Sequence, residues 1–132
     1  MLRAACLLCG TAAVVAAGDV AQKASSDGTM LHERSRLYVV GVAGGALIWA
    51  AAIVLTRSAK IAVPGGLVLG GASGNLASIV VWGAVPNSLT AAELGFNLAD
   101  VFVVGGFVSL AISVGVFAVA NRDRLGEPVR LR

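Results

Sequence analysis

The sequence predicts an all-α membrane protein, with residues 1–132 folded as a single domain: a bundle of four transmembrane helices with both termini in the cytoplasm. Hydrophobic residues make up 58% of the chain and charged residues 13%, with a mean hydropathy of +0.88, whereas soluble domains are about half apolar and a quarter charged. The apolar residues fall into four runs near the ~20 residues that a span requires. Basic residues are distributed unevenly over the connections. We therefore expect membrane lipid around the chain and no nucleic-acid partner.

The first helix is predicted over residues 2–21. Its Ala-rich run ends at Gly18, which is short for a span, but apolar residues resume at Val20 and extend it to full length. A charged start and a small-residue end also fit a cleavable secretory signal, so a retained and a cleaved helix both remain open. Asp19 and Lys23 are four residues apart and share a helix face. They form either an ion pair that reaches the membrane interface or part of a polar site inside the bundle.

The second and third helices are predicted over residues 37–56 and 61–83. The second follows a polar loop, residues 22–36, that shows no periodicity. Three glycines of the third helix recur at four-residue spacing, a pattern typical of close helix packing in lipid: Gly66, Gly70 and Gly74. A primary amide in hydrocarbon needs hydrogen-bond partners, because leaving it without them costs about 1–3 kcal/mol. We therefore expect Asn75, which follows these glycines, to face the bundle and not lipid.

The fourth helix is predicted over residues 97–120, after a turn-rich loop of residues 84–96. Asp100 lies in its first turn, where the helix dipole favours a negative charge. The remaining residues, 121–132, contain four arginines. We expect this basic tail to lie in solvent or on anionic lipid headgroups.

Basic residues set the predicted orientation. Four spans place both termini on one side, where seven basic residues lie against three on the other side. The seven are Arg3, Arg57, Lys60, Arg122, Arg124, Arg130 and Arg132, and the three are Lys23, Arg34 and Arg36. The positive-inside rule then places both termini in the cytoplasm. The polar residues in or beside the spans converge on the outer leaflet, where we expect a site. They are Asp19, Asn75, Ser78, Asn97 and Asp100.

Two motifs give the chain a resemblance to a known family. The third helix contains GGASGN (70–75), and the fourth begins with FNLAD (96–100). With Asp19 and Lys23 at the end of the first helix, these segments resemble the lipoprotein signal peptidases (signal peptidase II), which are four-helix aspartic proteases of the bacterial inner membrane. The resemblance implies cytoplasmic termini, a site facing the outer leaflet, and hydrolysis of the peptide bond before a lipid-modified cysteine. It implies no metal and no organic cofactor.

The resemblance also assigns roles to individual residues. Asp100 corresponds to one of the two catalytic aspartates, and Ser78 stands at the position of the other. A Val-Asp-Phe element of the family falls in the region of Val85-Pro86-Asn87, without the acid. Supporting or substrate-binding roles are implied for Asn75, Asn97, Asp19, Lys23, Gly70, Gly71 and Gly74. Because an aspartic protease needs two carboxylates that share a proton, we predict weak cleavage or none.

Three interpretations follow. The first is a degenerate family member that binds lipidated signal peptides or a membrane protein partner. The second is an active aspartic endopeptidase in which Asp100 works with a non-standard partner, for which Asp19 is the candidate. Ser78 is not expected to act as a nucleophile, since its own span holds no histidine or lysine to activate it. The third is a small four-helix transporter or assembly subunit, but compact transporters need an acid deep in their first helix, and Asp19 is at its end.

Overall fold

The computed structural model describes residues 1–26, 30–91, 93–120 and 122. Within these residues there are four helices: α1 (Leu2–Ala24), α2 (Arg36–Leu55), α3 (Ala59–Trp82) and α4 (Leu98–Ala120). All four are long and apolar enough to cross a membrane. The prediction of four spans is therefore confirmed, with helix bounds that differ from the predicted ones by three residues at most. The predicted basic tail lies outside the described residues, except for Arg122.

The bundle is arranged around α3, which contacts each of the other three helices. Neighbours in sequence run in opposite directions, so α1 and α3 point the same way and α2 and α4 the other way. The bundle has two chemically different ends. We call the end with Asp19 and Asp100 the polar end, and the end with Arg57 and Lys60 the basic end. A small apolar core between α1, α2 and α3 lies toward the basic end, formed by Ala4, Leu8, Ile53 and Ala62.

Glycines of α3 allow α1 to approach closely. A Cβ placed at Gly70 would lie 2.6 Å from the Cβ of Val15 and 2.8 Å from the carbonyl oxygen of Ala12. One turn further, a Cβ at Gly74 would lie 2.6 Å from Oδ2 of Asp19. Real Cβ atoms do not tolerate such distances, so only glycine fits there. The predicted packing face is thus confirmed, and it brings the Asp19 carboxylate directly against α3.

Two adjacent glycines of α4 provide a matched test of this packing. A Cβ at Gly106 would lie 2.7 Å from Cγ2 of Val68 and 2.9 Å from the carbonyl oxygen of Pro64, whereas a Cβ at Gly105 would meet nothing within 4 Å. We expect Gly106→Ala to lower the free energy of unfolding by about 1–3 kcal/mol through overpacking. Gly105→Ala should leave it unchanged or raise it by about 0.5–1 kcal/mol, because alanine favours the helix. Unfolding in detergent micelles, followed by circular dichroism, compares the two, and equal effects would contradict the close α3–α4 contact.

Short strands occupy the two connections at the polar end, so the all-α prediction was incomplete there. The strands are β1 (Met30–His32), β2 (Val85–Asn87), β3 (Leu89–Ala91) and β4 (Leu94–Phe96). β1 pairs antiparallel with β2, with Met30 opposite Asn87, and β3 pairs antiparallel with β4. Gly83 ends α3 with a φ of 73°, a left-handed conformation that glycine adopts without steric cost. This turn leads the chain into β2 and returns Asn87 toward the helix ends.

Candidate functional site

Lys23 of α1 is the centre of a buried group of polar side chains at the polar end. Its ammonium Nζ lies 2.7 Å from Oδ2 of Asp19, and both side chains have no exposed surface. The same nitrogen donates to Oδ1 of Asn75 at 2.9 Å and to Oγ of Ser78 at 3.0 Å. A lysine ammonium has three donors, and all three are used here. Of the two possibilities for Asp19 and Lys23, the structure therefore favours the polar site, because the pair is buried inside the bundle.

Asp19 also connects α1 to the start of α4. Its second oxygen, Oδ1, accepts a hydrogen bond of 2.8 Å from the backbone N–H of Ala99. The first N–H groups of a helix have no partner within the helix, and the helix dipole favours an anion beside them. Asp19 therefore stabilises the N-terminus of α4 while it pairs with Lys23. Both oxygens of its carboxylate are engaged.

Among the described residues, the partners of the Asp100 carboxylate are amide groups. Its Oδ2 accepts from the backbone N–H of Asn97 at 3.1 Å, and Oδ1 of Asn97 accepts from the backbone N–H of Asp100 at 3.1 Å. This reciprocal arrangement is a capping box, which the Asn-x-x-Asp spacing in the sequence could have indicated. Nδ2 of Asn75 donates to the other oxygen, Oδ1, at 3.1 Å. Asn75 thus joins Asp100 to Lys23 and faces the bundle as predicted, with 8% of its surface exposed.

Ser78 is bound to Lys23 and to its own helix. Its hydroxyl donates to the carbonyl oxygen of Gly74 at 2.7 Å and accepts from the Lys23 ammonium. The predicted third span offers no histidine or lysine to Ser78, and the structure brings a lysine from another helix, Lys23 of α1. The contact does not activate the serine, however. A lysine acts as a base only when neutral, whereas this one donates all three protons, including one to Asp19, and the serine proton is directed at Gly74.

Asn87 of β2 is a member of the site that was not named as a site residue from the sequence. It is 5% exposed, and its Oδ1 accepts from Nδ2 of Asn97 at 3.0 Å. Its own Nδ2 donates to the carbonyl oxygen of Gly95 at 2.9 Å and lies 3.3 Å from Nδ1 of His32. Asn97 therefore contacts Asn87 through its side chain and Asp100 through its backbone and side chain. The signal in the sequence was the missing acid at Val85-Pro86-Asn87.

These side chains form one hydrogen-bonded unit, which we call the polar cluster: Asp19, Lys23, Asn75, Ser78, Asn87, Asn97 and Asp100. The structure brings together all the polar site residues named from the sequence. The predicted site glycines lie behind the cluster and contact helices. Gly70 and Gly74 lie against α1, and a Cβ at Gly71 would lie 2.5 Å from the carbonyl oxygen of Ala99 in α4. In the described part of the chain, every buried side-chain nitrogen and oxygen has a hydrogen-bond partner.

A groove opens beside the one half-buried acid of the cluster. It has a cavity volume of about 450 Å³ and is lined by Phe96, Asp100, Val101, Val104 and Gly105. Ligand pockets span about 300–1,000 Å³ and typically combine an apolar lining with a few polar groups. The Asp100 groove, as we call it, has this character: its lining is apolar apart from the carboxylate. An apolar chain with a polar group at one point fits such a groove.

Comparison with known proteins assigns the chain to a family. The sequence model of the family described as signal peptidase (SPase) II matches residues 12–116. The chain belongs to the signal peptidase II family. The match contains every residue of the polar cluster and parts of all four helices, and it supports a lipoprotein-processing, peptidase-like role in a membrane. No curated protein and no solved structure matches the chain. The hydrogen bonds and ion pair of the polar cluster are therefore the basis on which we judge the chemistry of this signal peptidase II family member.

Proposed function

We propose that this signal peptidase II family member binds lipid-modified signal peptides, or a membrane protein partner, and cleaves them weakly or not at all. The observation that supports this proposal is the isolation of Asp100. The other carboxylate in the polar cluster, Asp19, is engaged by the Lys23 ammonium and by the Ala99 N–H. Aspartic proteases need a second carboxylate that shares a proton with the first. Asp19 is not available for this, so the active-peptidase interpretation loses its candidate partner.

The positions where the family resemblance leads us to expect an acid carry Ser78 and Asn87. The Ser78 hydroxyl accepts a hydrogen bond from the Lys23 ammonium, so a carboxylate at position 78 would form an ion pair with this cation. Asn87 lies on the other side of the cluster. It is hydrogen-bonded to Asn97, which is also hydrogen-bonded to Asp100. A neutral amide at this position keeps the hydrogen bonds but cannot exchange a proton with Asp100. The loss of an acid at position 87 therefore explains an inactive cluster better than the serine at position 78.

The Asp100 groove is the part of the fold that we assign to ligand binding. Phe96, Val101 and Val104 offer an apolar surface beside a carboxylate that can accept a hydrogen bond. A lipid-modified cysteine combines acyl chains with a peptide N–H, which matches both properties. We propose that this end lies in the outer leaflet of a bacterial plasma membrane, and the distribution of basic residues supports the orientation. The position of Asp19 near the end of α1, in an ion pair with Lys23, does not favour the transporter alternative, which needs an acid deep in the first helix.

Filling the groove tests the binding proposal. Gly105→Phe places a ring in the groove from a position with nothing within 4 Å, and Gly44→Phe places the same ring in open space on α2, away from the groove. We expect Gly105→Phe to weaken the binding of a peptide with a diacylglyceryl-modified cysteine about tenfold or more, because excluding two methylenes costs about 1.6 kcal/mol. Photo-crosslinking of this peptide in nanodiscs measures the affinity. If both variants bind as the wild type does, the groove is not the binding site.

A further inference from the structure

The basic end carries a second, separate pair of cavities. Two adjacent clefts between α3 and α4 have volumes of about 560 Å³ and about 240 Å³. Both clefts are lined in part by the same three residues, Lys60, Ser113 and Phe117. The larger is otherwise apolar, and the smaller also includes Thr56 and Ser58 of the α2–α3 connection. Two mainly apolar clefts that meet at one lysine have the shape of a site for two chains joined at a charged group.

The charge of this end favours an anion. Among the described residues, the basic ones at this end are Arg3, Arg57, Lys60 and Arg122, and all the acidic ones lie at the polar end: Asp19, Glu33, Glu93 and Asp100. Within the described chain, neither Arg57 nor Lys60 forms an ion pair. The cap residue of α3, Ser58, makes no side-chain hydrogen bond to the first turn. The N–H groups of that turn therefore add to the positive potential beside Lys60.

Arg57 provides an independent observation. In the described residues it is the one non-glycine residue with a positive φ, at 56°. It follows the C-cap of α2, the position where glycine commonly takes the left-handed conformation that costs other residues free energy. The chain contains 17 glycines and uses one, Gly83, at the left-handed end of α3. The backbone conformation at position 57 does not itself require an arginine, because glycine would adopt it without strain.

We propose that the basic end binds one anionic glycerophospholipid, with its phosphate between Lys60 and Arg57 and its two acyl chains in the two clefts. Basic residues at a membrane boundary attract anionic headgroups, and basic pockets between spans bind them specifically. The clefts accommodate chains next to that headgroup site. This site lies at the opposite end of the bundle from the Asp100 groove and does not depend on what that groove binds.

The test compares two lipids with identical chains, phosphatidylglycerol and phosphatidylcholine, titrated onto the full-length protein in a neutral detergent and counted by native mass spectrometry. We expect the wild type to bind one phosphatidylglycerol at concentrations where phosphatidylcholine does not bind. Lys60→Gln and Arg57→Gly should each weaken phosphatidylglycerol binding about fivefold. Arg36→Gln, which removes an exposed arginine at the polar end, should leave it unchanged. Equal binding of the two lipids by the wild type would overturn the proposal.

Two further measurements separate this site from a structural effect. Arg57→Gly should not lower the unfolding temperature, because glycine adopts the same φ without strain. If Arg57→Gly binds phosphatidylglycerol as tightly as the wild type does, the arginine side chain is not used and its proposed role is wrong. Ser113→Phe fills the lining shared by the two clefts without a change of charge, and we expect it to weaken binding as well. If the charge variants weaken binding and Ser113→Phe does not, the assignment of the acyl chains to the clefts is wrong.

Discussion

Replacing Lys23 with methionine is expected to lower the free energy of unfolding by about 3–5 kcal/mol, the usual result of removing one partner from a buried ion pair. The methionine chain has a similar length but no donors, so the buried Asp19 carboxyl group loses its cation. Oδ1 of Asn75 and the hydroxyl oxygen of Ser78 lose a donor as well. Unfolding in mixed micelles with increasing dodecyl sulfate, followed by circular dichroism, measures the change.

Two further variants show whether the loss comes from the unpaired charge. The double variant Asp19→Asn/Lys23→Met removes both charges and keeps an acceptor for the Ala99 N–H. We expect it to lose at least about 1 kcal/mol less than Lys23→Met alone. Arg36→Met removes an exposed basic residue outside the cluster and should change the free energy by less than about 0.5 kcal/mol. A loss for Lys23→Met as small as that for Arg36→Met would contradict the buried pair at the centre of the polar cluster.

Introducing an acid at position 87 is expected to create peptidase activity. In Asn87→Asp the new carboxyl group would accept a hydrogen bond from Nδ2 of Asn97. The backbone N–H of the same residue donates to Asp100. Its other oxygen would face the carbonyl oxygen of Gly95, which lies 2.9 Å from the present amide nitrogen. A proton on that oxygen would satisfy the contact, and the variant would place a second carboxyl group beside the residue that holds Asp100. An aspartic protease needs two such groups, and a positioned acid–base group contributes about 10²–10⁴-fold in rate.

The matched comparison for this gain is Ser78→Asp. A carboxylate at position 78 would meet the Lys23 ammonium and form a second ion pair, so we expect no cleavage from this variant alone. Gel-shift cleavage of a lipid-modified prolipoprotein measures both, with Asn87→Asp/Asp100→Asn as the control that removes the partner acid. Cleavage by Ser78→Asp without cleavage by Asn87→Asp would show that position 78, as the sequence first suggested, is the lost catalytic position.

The helices could be predicted from the sequence because apolar runs of span length leave few alternatives. The glycine spacing of α3 likewise predicted a packing face, and Gly70 and Gly74 do lie directly against α1. The polar end was predicted as a region, since four spans bring Asp19, Asn75 and Asp100 to the same side. The partners within that region were not predictable. Lys23 and Ser78 are 55 residues apart, and their contact depends on how α1 and α3 are rotated about their axes.

The short strands and Asn87 were missed for a related reason. Three-residue strands are too short for the alternating pattern that identifies a strand in a sequence. Asparagine is also common in turns, so a buried asparagine after a proline cannot be distinguished from an exposed one without the fold. The burial of Asn87 depends on the pairing of β1 with β2, in which Met30 lies opposite Asn87. This pairing joins the connection after α1 to the connection after α3. This pairing brings together parts of the chain that are distant in sequence.

The most direct test of the proposed function is gel-shift cleavage of a lipid-modified prolipoprotein by the purified wild-type protein in lipid nanodiscs, beside Asp100→Asn. We expect the same amount of product from both, at or near background, because Asp100 has no second carboxylate in the polar cluster with which to share a proton. Asp100→Asn keeps an oxygen for the cap of α4, so the two proteins should be equally folded by circular dichroism. Cleavage by the wild type well above background that disappears in Asp100→Asn would show a working peptidase and contradict the proposed function.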